Sequence, residues 1–126
     1  MKWIYYNPNP ENKNVGDCTV RAISKLLNID WESAYLLLCK SGYYLCDMPN
    51  TFDVLEDVLK TNGYKRHFVK NTCPDCYTVR DFCEDYSEGS YIVFSESHVV
   101  CIVDGDYYDA WDSGDKTIYF YFSKED

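Results

Sequence analysis

With 126 residues, 46% of them apolar, the chain is long enough to bury one hydrophobic core without disulfide or metal staples. Its formal net charge of −9, from 21 acidic against 12 basic side chains, repels phosphate backbones. The densest basic cluster, residues 65–67, is too short to overturn that, so no nucleic-acid partner is expected. No apolar run approaches the roughly 18–20 residues of a membrane span, and no export-signal pattern opens the chain. Seven cysteines, an odd number without a regular framework, read as reduced thiols. These features predict a single cytoplasmic domain over residues 1–126, with no membrane contact and no cofactor.

A short extended start and a Pro/Asn-rich loop occupy residues 3–15. The first helix is predicted over Cys18–Leu27, with Asp17 as N-cap and Val20, Ile23, Leu26 and Leu27 forming its apolar stripe. A second helix follows over residues 31–39, capped by Asp30 and ended near Gly42. A third starts near Thr51 and stops at Asn62-Gly63. Residues 64–69 form a candidate strand, and residues 78–86 a short helix with Thr78 and Asp81 in capping-box spacing.

From Tyr91 the pattern changes to β-branched and aromatic runs separated by SES, DGD and DSGDK. Helices first and an antiparallel meander last define an α+β class. The tyrosine-rich stripes YLLL, GYYL and IYFYF are expected to pack the core.

Cys18 stands at the start of a helix, where the macrodipole favours thiolate. A nucleophilic thiol needs a base, and the base an orienting partner. Of the two histidines, His67 lies among cationic neighbours that disfavour imidazolium, whereas His98 opens a strand after a polar turn. Residues 98–112 read as a hairpin turning at DGD. A three-residue loop, Asp104-Gly105-Asp106, sets Val103 against Tyr107 and His98 against Asp112. A two-residue turn instead places Trp111 opposite His98. In either register Asp109 is displaced from His98 by two or three residues, about 7–10 Å along the strand. Asp112 is therefore the expected orienting acid, with Trp111 beside it as a shield from water.

A cysteine at the start of an early helix, followed by a histidine and an acid on successive C-terminal strands, resembles the papain-like cysteine peptidases. GDCTVRAIS resembles the nucleophile segment of small bacterial and phage-type members, and HVVCIVDGDYYDAWDS their histidine strand, turn and acid strand. The resemblance implies helices packed on a C-terminal antiparallel sheet, with Cys18 attacking a carbonyl, His98 shuttling the proton and Asp112 holding His98. It also implies an oxyanion-hole amide six residues before the cysteine. Gln is usual there; this chain has the shorter Asn12, with Asn14 nearby.

The expected activity is thus hydrolysis of a peptide or protein amide through a thioester, and transglutaminase-like acyl transfer would use the same residues. The competing expectation is an acidic, non-enzymatic interaction module on the same scaffold, such as a phage-encoded inhibitor. Cys73 and Cys76, in CPDC, have the spacing of half a zinc site or a redox pair. With no second such pair, a Pro-Asp turn carrying two free thiols is expected. The oligomeric state is not legible in the sequence.

Overall fold

Alternation along the strands fixes the architecture. Ile92, Phe94, Val99, Cys101 and Phe122 join one core cluster, while Val93, Val100, Ile102 and Tyr107 join another. Successive strand residues point to opposite faces, so this sheet is covered on both. In the computed structural model, which describes residues 2–125, the strands are β1 (Trp3–Tyr5), β2 (Tyr64–Phe68), β3 (Ser90–Phe94), β4 (Val99–Val103), β5 (Asp106–Asp109) and β6 (Phe120–Lys124). The helices are α1 (Cys18–Leu27), α2 (Trp31–Leu45), α3 (Phe52–Thr61) and α4 (Val79–Asp85). Helices α1, α2 and α3 supply the first cluster; α4 supplies Val79, Phe82 and Cys83 to the second. The class is α+β, as expected.

The sheet is mixed rather than an antiparallel meander. Its order is β1-β5-β4-β3-β6-β2, with β1 parallel to β5 and the other pairs antiparallel. Only β3, β4 and β5 form a meander. After β5 the chain returns across the sheet and inserts β6 between β3 and β2. Side-chain periodicity reports which face a residue occupies, not which neighbour a strand selects.

Two helix expectations also change. Gly42 does not end α2, which runs on to Leu45 and closes at Cys46 with φ 55°. A Cβ on Gly42 would lie 2.8 Å from the Asp47 carbonyl oxygen, so this glycine permits close approach of the returning chain. The stripes on α2 are largely solvent-facing: only Ala34, Leu38, Ser41 and Gly42 are buried, while Tyr43 and Tyr44 are 79% and 71% exposed. Their spacing is one side of an amphipathic helix, and the tyrosines lie off it. By contrast, the Thr78–Asp81 capping box of α4 forms in both directions.

CPDC is closed by a Cys73–Cys76 disulfide rather than carrying two free thiols; its turn brings the two Cα atoms to 4.3 Å. Cys18, Cys39, Cys46, Cys83 and Cys101 are free. Among the described residues no helix is long and apolar enough to cross a membrane.

Candidate active site

The β4–β5 turn decides which acid meets His98. Asp104 and Gly105 have φ values of 51° and 80°, as a two-residue type I′ turn requires. Val103 pairs with Asp106, Ile102 with Tyr107 and Cys101 with Tyr108. One further step in this register sets Val100 against Asp109, and His98 lies two residues before Val100. Diagonal neighbours of this kind stand about 7–8 Å apart at the backbone, within reach of two converging side chains.

The side chains do converge. His98 Nε2 lies 2.6 Å from Asp109 Oδ2, and Asp109 is fully buried. Asp109 therefore replaces Asp112 as the orienting acid. Displacement along the strand alone does not keep the two apart, because the imidazole and the carboxylate together span it. Asp112 is engaged elsewhere: its Oδ1 accepts from Tyr107 Oη at 2.5 Å and from the Gly114 N–H, and Arg80 lies 3.3 Å away. The Trp111 ring packs on His98, with centroids 4.8 Å apart and planes inclined at 37°, as its position opposite His98 in a two-residue turn foretold.

At the start of α1, the Cys18 thiol lies against the His98 ring, and both line one cleft. With Nε2 occupied by Asp109, Nδ1 is the ring nitrogen left for the sulfur. Burial pushes the Cys18 thiol up, but the His98 bond, the Val99 N–H and the positive charges of His98 and Arg21 outweigh it and hold the pKa below its ordinary 9.0. Burial pushes His98 down, yet its bonds to Asp109 and Cys18 prevail and raise it to about 9. For Asp109, burial is likewise outweighed, by hydrogen bonds with His98 and Ser113 and by the charges of His98 and Arg21, and its pKa falls. All three shifts favour thiolate and imidazolium held by a carboxylate.

A buried cation supports this chain of contacts from the helix that carries Cys18. Arg21 is 5% exposed; its Nη1 lies 2.8 Å from Asp17 Oδ1 and its Nη2 3.0 Å from Asp109 Oδ1. Ser113 Oγ donates to Asp109 Oδ2 at 2.6 Å, and Trp31 Nε1 donates to Asp17 Oδ2 at 2.9 Å. The outermost strand fixes the acid from behind: Tyr6 N–H and Trp3 Nε1 both donate to the Asp109 carbonyl. The sequence reading missed Arg21, Ser113 and this role of Asp17. Only the i, i+4 spacing of Asp17 and Arg21 pointed to a pair.

Asp17 stands at the N-cap position of α1, but its carboxylate accepts no backbone hydrogen bond there, being held by Arg21 and Trp31. The amides of the first turn, which have no intrahelical acceptor, are thus not capped by it. Cys18 and Thr19 of that turn border a cleft of about 290 Å³ whose lining also includes Asn14, His98 and Trp111. Asn12, expected near an oxyanion, does not line this cleft. It adopts φ 54°, and its side chain lies 3.4 Å from Asn7 Nδ2; Asn14 is the asparagine at the cleft. His67, on edge strand β2, stacks on Tyr121 and lies 3.3 Å from Glu125.

No group of three or more His, Cys, Asp or Glu residues placed to hold a metal ion occurs among the described residues. No protein-family profile, curated protein or solved structure matches this chain.

Proposed function

We propose that the chain is a cysteine-dependent amide hydrolase of papain-like layout, acting on a peptide or protein through Cys18, His98 and Asp109. The observation that carries this reading is the unbroken chain of contacts from the Cys18 sulfur through His98 to the fully buried Asp109. A structural histidine does not need a buried carboxylate on one nitrogen and a thiol on the other; an imidazole that must hold and release a proton does.

The reaction runs as follows. Cys18 thiolate adds to the carbonyl carbon, and the oxyanion accepts from the uncapped first-turn amides of α1, with the Asn14 amide beside them. His98 imidazolium gives its proton to the leaving nitrogen, the C–N bond breaks and a thioester remains. Neutral His98 then takes a proton from water as the hydroxide adds. Collapse of the second tetrahedral species breaks the C–S bond, releasing the acid and restoring thiolate and imidazolium. Asp109 stays ionised throughout and keeps the ring in register. An amine in place of that water would give acyl transfer.

Thiol reactivity tests the reading. Iodoacetamide at pH 6 should alkylate Cys18 at least tenfold faster than the other four free thiols, and His98→Ala should abolish the difference. Peptide-library cleavage should vanish in Cys18→Ala. Uniform slow labelling together with no Cys18-dependent cleavage would overturn the proposal.

A further inference from the structure

The sheet ends on one side at β2, and hydrogen-bond parity shows which of its backbone groups are left over. At the two ends of the antiparallel β2–β6 pair, Glu125 N–H donates to the Gly63 carbonyl and Val69 N–H to the Tyr119 carbonyl, both at 2.9 Å. Bonded pairs alternate along such a ladder, so Lys65–Ser123 and His67–Tyr121 are the bonded pairs between them. The N–H and C=O groups of Tyr64, Arg66 and Phe68 therefore point away from β6. Among the described residues no backbone partner meets them, because β2 is the outermost strand.

Charge at this edge opposes that of the whole molecule. The chain carries −9, yet Lys65, Arg66, His67 and Lys70 follow one another here, with Lys124 across the ladder from Tyr64. Two acids answer them: Glu56, shared with Lys60, lies 3.3 Å from Arg66, and Glu125 lies 3.3 Å from His67. Lys65 and Lys70 are exposed and enter no ion pair among the described residues. Alternation sends Lys65 and His67 to one face of the edge, and Tyr64, Arg66 and Phe68 to the other.

Lysines on an edge ordinarily deter pairing. This edge also presents Phe68, 77% exposed. Beside that ring opens a cavity of about 280 Å³ whose lining includes Lys70, Tyr77 and Tyr86. Repulsion alone gives no reason for an exposed ring; capture of an apolar side chain does. A second copy of the chain fits poorly, since antiparallel self-pairing centred on the strand sets Arg66 against its own copy and Lys65 against the copy's histidine. Like charges directly opposite each other destabilise a ladder.

We infer that the free edge of β2 takes an extended segment of a partner protein as a further strand. The segment alternates acidic residues, which face Lys65 and His67, with apolar residues that cover Phe68. Main-chain bonds to Tyr64, Arg66 and Phe68 hold it, and the alternate side chains select it. In the strand order β2 stands four spacings from β5, about 19 Å across the sheet, so the surface is separate from the Cys18 cleft and independent of the hydrolase reading.

Amide hydrogen exchange followed by NMR tests this, with acetylated and amidated Glu-Val-Glu-Val-Glu-Val as the ligand. In the free protein the amides of Arg66 and Phe68 should exchange at least tenfold faster than those of Lys65 and His67. Saturating peptide should slow Arg66 and Phe68 at least tenfold. The Lys-Val counterpart should bind at least tenfold more weakly, and Lys65→Glu should weaken the Glu-Val peptide at least fivefold. Cys18→Ala should change none of these results, which keeps them apart from any failure of the hydrolase reading. Equal affinity for the two peptides, binding that leaves the Arg66 and Phe68 amides fast, or no slowing at about 1 mM peptide would overturn the inference. So would slow exchange in the free protein that deepens with protein concentration, which would give the edge to a second copy.

Discussion

Replacing Asp109 with Asn separates the two carboxylates that compete for the role of orienting acid. The change keeps the shape of a fully buried side chain and removes its charge. His98 is raised to about 9 from an ordinary 6.5, and its bond to Asp109 is the first contribution opposing burial. At 1.36 kcal/mol per unit, the shift is worth about 3 kcal/mol, shared between Asp109 and Cys18. An amide can also donate to Nε2, which would put the ring proton on Nδ1 and leave no acceptor for the thiol proton. Loss of the orienting acid in such a relay costs on the order of 10⁴ in turnover. Asp109→Asn should therefore lower hydrolysis by about that factor. It should slow iodoacetamide alkylation of Cys18 at pH 6 about tenfold or more and move the acid limb of the rate profile up toward that of a free thiol. Asp112→Asn should leave both assays near wild type, because Asp112 touches Tyr107, Arg80 and Gly114 rather than His98. Matching circular dichroism spectra would exclude unfolding as the cause. An Asp109→Asn protein alkylated at the wild-type rate at pH 6, with Asp112→Asn impaired instead, would refute the assignment.

Arg21→Met leaves Asp17 and Asp109 buried without their shared cation and should cost about 3–5 kcal/mol in urea unfolding, with Arg21→Lys intermediate. Hydrolysis should fall as pH rises through about 9, where His98 loses the proton it gives to the leaving nitrogen. Stability should fall as pH climbs from about 6.5 through about 9, because the folded state keeps a proton on His98 that the unfolded chain has lost, and the lowered pKa of Cys18 offsets part of that loss. Removing the thiol by Cys18→Ala removes that offset and leaves a histidine raised by Asp109 alone, whose stabilisation is complete below about 6.5 and lost as pH climbs through its lower folded value. A slope approaching 1.4 kcal/mol per pH unit should then appear in urea titrations above pH 6.5. Asp17→Asn should depress hydrolysis more than alkylation, because its amide is free to turn onto the helix amides that receive the oxyanion. Equal losses in the two assays would refute that role.

Local signals carried much of the fold. The stripe of α1 and the caps of α3 and α4 were legible because each depends on residues within one or two turns. Cys18 and His98 were legible because chain position and the scarcity of histidines left few choices. The acid was not. Asp-Gly favours the two-residue type I′ turn, and treating Asp106 as part of the loop moved the register by one and set Asp112 against His98. The parallel placement of β1, which pins Asp109 from behind, depends on a contact more than a hundred residues distant in sequence. No local pattern encodes it. The return of β6 to the far side of β3 is invisible for the same reason.

The position of Asp17 joins these levels. A carboxylate before a helix ordinarily caps it, and forgoing that cap costs about 1 kcal/mol. Here the carboxylate turns away, drawn by an arginine one turn along its own helix and by an indole on the next. The diversion leaves the first-turn amides beside Cys18 uncapped by it, and it places an anion where Arg21 can hold Asp109 as well. Helix α1 thereby presents the thiol and, through Arg21, fixes the acid on β5 that orients the base. One helix start carries the Cys18 thiol, first-turn amides that Asp17 leaves uncapped and the Arg21 anchor of Asp109, so displacing it would perturb all three together.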